Sequence, residues 1–255
     1  MGVGYIIGCF FSILLWKVDR VRFLRRFDEL LRKVTKNSKY IEGIYLFTML
    51  IIIIILSFFK YNEILNAITA FLVIDISNAE RKVLNINNGL NFYDSISLIS
   101  RSLVSGFIAP LFYILILGNS AGICYMLIYN LFNIEGYKII GVLFNILTII
   151  PSGIAQFFLY VVYLLRNKKL RVDFKGDYFI NLIKRPLLNI DIFGAYIESV
   201  NFYYYFNDND VRYVKSYGEY GKKIDLVCLK HYLSISYAIA MVYFLTFFIL
   251  IRYMN

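Results

Sequence analysis

The chain has 255 residues, 60% of them hydrophobic, and carries 27 Lys and Arg against 17 Asp and Glu, a net charge of +10. Soluble domains sit near about 45–50% apolar, so this composition, with a mean hydropathy of +0.64, excludes an ordinary soluble domain and places the chain in the membrane class. The positive balance would suit nucleic acid, but nine basic residues fall in 17–39, seven in 166–185 and five in 212–230. Clumps between apolar spans are the pattern of cytoplasmic loops on membrane proteins, so the expected partner is a lipid bilayer and not nucleic acid.

Positions 1–16 carry no charge and are followed at once by Lys17. With no positive leader and no small-residue cleavage site, this stretch reads as an anchor with its N-terminus outside and residues 17–39 in the cytoplasm. Segment 17–34 reads as an amphipathic helix: Val21, Leu24, Phe27, Leu31 and Val34 recur at three- and four-residue spacing. Asp28 can meet Arg32, and Glu29 can meet Lys33, one turn apart. Residues 43–59 suit one crossing. Segment 64–74 is too short to cross and is expected to lie in the interface or re-enter.

Residues 102–134 would be roughly 50 Å long as one helix, too long for a plain crossing. Pro110 and Gly118-Asn119-Ser120 are its expected break points. Residues 139–165 read as one long tilted helix bent near Pro151. Residues 166–230 form the largest polar region, within which Tyr203, Tyr204 and Tyr205, flanked by Phe202 and Phe206, suit an interface belt or a platform for a flat ligand. Residues 232–251 close the chain. The expectation is therefore an all-α polytopic membrane protein, one domain over 1–255 with about four to six spans.

Chemistry is sparse. Cys9, Cys124 and Cys228 are scattered and odd in number, and His231 is the one histidine, so neither a disulfide framework nor a zinc site is expected. No phosphate-binding GxxxxGK[ST], HExxH or G-x-S-x-G pattern occurs.

One ordered pair of strings stands out: Ser105-Gly106-Phe107-Ile108-Ala109-Pro110-Leu111-Phe112, then Gly136-Tyr137-Lys138. With Arg81 upstream and Pro151 and Pro186 downstream, the chain resembles the cobalamin-biosynthesis membrane proteins of the CobD/CbiB family, most closely over about 80–155. The resemblance implies an adenosylcobinamide-phosphate synthase-like ligase. Such a protein attaches aminopropanol or its phosphate to adenosylcobyric acid, using ATP and Mg, in the cell membrane with partner enzymes of corrinoid synthesis.

It also implies Arg81, Lys138, Glu135 and Asp94 as substrate-binding candidates, with Asp75 and Glu80 as further oxygen donors. Gly106, Ala109, Pro110, Gly136 and Tyr137 would be the structural motif; no catalytic residue or metal ligand is singled out. Where the family carries an acidic segment this chain reads Ser97, Arg101, Ser102 and Ser105, and the aspartate of a later Asn-Thr-x-Asp element is lost in 130–133. Mg²⁺ is usually held by one or two carboxylates plus phosphates. These departures imply an alternative, a catalytically inactive relative serving as a membrane binding or scaffold subunit. The expected break at Pro110 and Gly118 suggests a third, a small transporter.

Overall fold

The structure is a computed structural model, describing residues 2–15, 18, 21–35, 37–58, 62–76, 92–134, 136–208, 211–219, 221 and 225–254. In chain order its helices are α1 (Val3–Leu14), α2 (Val21–Val34), α3 (Ser38–Phe58), α4 (Glu63–Val73), α5 (Phe92–Leu103), a π-helical turn (Val104–Ile108), α6 (Ala109–Leu117), α7 (Asn119–Phe132), α8 (Lys138–Asn167), α9 (Tyr178–Lys184) and α10 (Leu188–Glu198). A hairpin of β1 (Phe202–Asp208) and β2 (Val211–Tyr217) follows, and then α11 (Leu226–Met254). Among the described residues four stretches are long and apolar enough to cross a membrane: α3, Ser95–Leu117, α8 and α11.

The anchor expected over 1–16 is instead a short helix in a pair. α1 has 12 residues and α4 has 11, so each is only about 16–18 Å long against a hydrocarbon core of about 30 Å. They run parallel, Gly4 against Glu63, Gly8 against Ala67 and Ser12 against Ile74. The backbones touch because the contact residues are small: a Cβ on Gly4 would sit 2.1 Å from Glu63 O, and one on Gly8 2.2 Å from Ala67 O. Small residues four apart permit this approach between membrane helices. Glu63 closes the pair, its carboxylate accepting from Gly2 N and Gly4 N, both at 2.7 Å; these are helix N-terminal donors that would otherwise lack partners.

The break expected at Pro110 is absent, whereas the one at Gly118 is present. Gly118 holds φ +85° between α6 and α7, a left-handed conformation that glycine tolerates. Pro110 lies inside a continuous helix, Ser95–Leu117, whose five-residue π turn lies just before it. Proline leaves the carbonyl four residues back without its helical donor. That carbonyl belongs to Gly106, and it accepts from Asp75 N at 2.8 Å. The same device recurs at Pro151, inside α8: Tyr113 OH donates to Leu147 O at 2.7 Å. Non-helical or unpaired backbone at membrane depth is tolerated where protein satisfies it.

Region 166–230 departs furthest from expectation. All eleven residues of α10 are buried. Its polar side chains are largely matched: Asn189 Nδ2 donates to Tyr178 O at 3.0 Å, and Glu198 receives both arms of Arg166, NH1 at 2.5 Å and NH2 at 3.1 Å. The hairpin is a second correction, since the fold is mostly helical and not all-α. The Phe-Tyr run favours a strand, and its alternation is plain: Phe202 and Phe206 are buried while Tyr205 is exposed. Tyr213 stacks on Phe206 at 5.0 Å across the strands.

Candidate functional site

The two motif strings act at two separate junctions. At the first, Gly106 and Pro110 hold segment 74–76 against the central helix. A Cβ on Gly106 would meet Asp75 O at 3.0 Å, so glycine sets the approach and proline frees the acceptor. Ser12 Oγ donates to Ile74 O, gripping the segment from the other side. Ala109 is buried in the same turn, and the Asp75 residue is 7% exposed.

Beside this junction α5 carries a polar seam. Ser97 Oγ donates to Asp191 Oδ2 at 2.9 Å, and Ser100 Oγ lies 3.1 Å from Tyr232 OH. Asp191, from α10, is 3% exposed, and among the described residues its Oδ1 has no hydrogen-bond partner; nor have Ser95 Oγ and Ser102 Oγ. Burial lifts the Asp191 carboxyl to about 6, against the opposing pull of the Arg101 guanidinium and the Ser100 and Ser97 hydroxyls. Arg101 is exposed although its neighbours on α5 are buried. A carboxyl titrating near neutrality can exchange a proton with an amine at working pH, and a guanidinium can grip a carboxylate or phosphate with two parallel bonds.

The second junction is built around Tyr137. Its hydroxyl donates to Asp28 Oδ1, which also accepts from Tyr45 OH at 3.0 Å, and Arg32 Nε donates to Asp28 Oδ2 at 2.7 Å. The Arg32 guanidinium sits 5.1 Å over the Tyr137 ring. Burial and the Asp28 carboxylate push the Tyr137 phenol up to about 12. Glu42 completes the joint, accepting from Ile139 N at 2.9 Å at the start of α8. Gly136 holds φ +111° there, and Lys138 is exposed as the first residue of α8. This junction reads as a lock between α2, α3 and α8, so Tyr137 serves structure.

Of the other expected site residues, Arg81, Glu80 and Glu135 lie outside the described residues, as does the side chain of Asp94, which falls in α5. Gly106, Ala109 and Pro110 are brought together, as are Gly136, Tyr137 and Lys138. Among the described residues no group of three His, Cys, Asp or Glu could hold a metal ion. The seam's Asp191 and Tyr232 were not foreseen, because their partners lie 94 and 132 positions away. The Asp28–Arg32 pair was foreseen, from its spacing of four. The three cysteines are buried thiols.

No protein-family model, curated protein or solved structure matches the chain. The protein is mostly helical, with four helices among the described residues able, by length and composition, to cross a membrane.

Proposed function

We propose that this chain is a CobD/CbiB-like membrane protein of cobalamin synthesis, attaching aminopropanol or its phosphate to a propionate carboxyl of adenosylcobyric acid at the expense of ATP. The observation that supports the reading is the Asp75 N to Gly106 O bond. It gives the shared Gly106–Pro110 string a tertiary role that hydrophobicity alone would not require, on the same helix as the polar seam. In this reading Asp191 takes the proton lost by the attacking amine through its open Oδ1, and Arg101 holds a carboxylate or phosphate. Arg81, Lys138, Glu135 and Asp94 remain binding candidates by resemblance, and the basic loops face the cytoplasm of a cell membrane.

The seam's composition favours a second reading. Serines and Arg101 stand where the resembling family is acidic, and Asp191 is a single buried carboxylate among them. A catalytically inactive relative that binds the corrinoid as a scaffold for its enzymes fits that loss, because buried charges are costly to keep once chemistry no longer needs them.

Purified full-length protein given adenosylcobyric acid, aminopropanol phosphate and Mg-ATP separates the two. The amide product by mass supports the synthase. Co-elution of the corrinoid's visible absorbance without product supports the scaffold. Neither product nor binding overturns both.

A further inference from the structure

After α8 the chain turns back along it, and three tyrosines tie that return down. Tyr160 OH donates to Leu170 O at 3.0 Å, Tyr163 OH to Arg171 O at 3.0 Å and Tyr196 OH to Asp173 O at 2.9 Å. Between this strap, α8 and α10 lies a cavity of about 410 Å³, walled chiefly by Phe157, Tyr160, Phe174, Tyr178 and Phe193. Besides the two tyrosines, one amide side chain lines the wall. Gln156 is 3% exposed, yet neither its Nε2 nor its Oε1 has a hydrogen-bond partner among the described residues. A buried amide left unpaired in both senses is costly, so it calls for an explanation.

Two further facts describe the occupant. A Cβ built on Gly153, one turn before Gln156, meets nothing within 4 Å, so the space there is open. Phe157 is 64% exposed on a helix long and apolar enough to cross a membrane, so a bilayer around that helix would meet the mouth. Among the described residues the lining holds no Asp, Glu, Lys, Arg or His, which disfavours a charged head. An apolar wall with a few placed polar groups is the usual make-up of a small-molecule site.

We propose that this cavity binds a neutral, membrane-borne amphiphile with a carboxamide head, its chain on the aromatic wall and its amide paired with Gln156. The ligand's N–H donates to Oε1 and its carbonyl accepts from Nε2, two planar amides meeting edge to edge. An ester accepts but cannot donate, leaving Oε1 unmatched. This site is separate from the serine seam and does not depend on the corrinoid reading.

The test uses the full chain in phospholipid nanodiscs, with a dodecanamide carrying a chain diazirine and the matching methyl ester. After photolysis, mass spectrometry is expected to map the amide to 153–160, 172–178 or Phe193, with competition by plain dodecanamide and at least tenfold weaker labelling by the ester. Gln156→Leu should erase the difference between amide and ester; where that variant fails to fold, Gln156→Met makes the same comparison. Gly153→Leu, which fills the open space and keeps Gln156, should abolish labelling by both. Equal labelling of the wild type by amide and ester, labelling elsewhere, or an amide preference surviving loss of Gln156 would overturn the proposal.

Discussion

Asp191 is buried among serines and a tyrosine hydroxyl with one oxygen unmatched. Its carboxyl is raised to about 6, with burial the leading cause. For a raised acid the folded state holds the proton more tightly than the unfolded one. The contribution to stability is therefore fully present below the ordinary carboxylate range and is lost as pH rises through about 6. Asp191→Asn removes that loss and keeps an acceptor for Ser97. Thermal unfolding in detergent should show the variant more stable than wild type at pH 7.5, by on the order of 3 kcal/mol. Its stability should also be flatter between pH 4 and 7. An unchanged slope would show that Asp191 does not titrate as its surroundings imply. Nothing in the neighbouring sequence announces this residue, since the burial comes from α5 and α11, distant in the chain. Asp28 was half legible: its pairing with Arg32 follows from spacing, but its capture by Tyr45 and Tyr137 follows from packing.

Long uncharged runs declare helices by themselves, because a charge at the bilayer centre costs about 2.5–3.5 kcal/mol. α3, α8 and α11 were therefore readable. Two features escaped for different reasons. The hairpin's Tyr-Phe run suits a belt or platform by its chemistry, although its alternation also marks a strand. The α1–α4 pair was missed because Gly4 and Gly8, four apart within an uncharged run, mark a contact face only once a partner is known. That face makes a sharp prediction. Gly8→Leu must push apart two backbones that now touch, and overpacking of this kind costs about 1–3 kcal/mol or more. Gly8→Leu with unchanged melting would exclude the contact.

On the scale of the whole molecule, one apolar cluster runs from α1 to α11, and the stretch Ser95–Leu117 is its axis, the most buried of the four long apolar helices. α2 behaves differently. Leu24 and Leu31 pack partly against the core and Asp28 points inward, while Leu30 is 58% and Val34 86% exposed. A basic helix with that exposure suits a membrane surface, where each Lys or Arg near anionic lipid contributes about 1 kcal/mol. Removing Arg22, Arg25 and Arg26 together should weaken the association of a synthetic 17–36 peptide with anionic vesicles more than tenfold and leave its binding to neutral vesicles unchanged.

The first and last helices also meet. A Cβ on Gly2 would lie 3.2 Å from Ile251, and the rings of Tyr5 and Phe247 pack edge to face at 5.3 Å. Anything appended at either end consequently departs from a common doorway, and an even number of net transits is the expectation for the chain in a lipid bilayer. Single reporter cysteines beside Gly2 and Met254 should react with an impermeant maleimide from one compartment alone, and the same one for both.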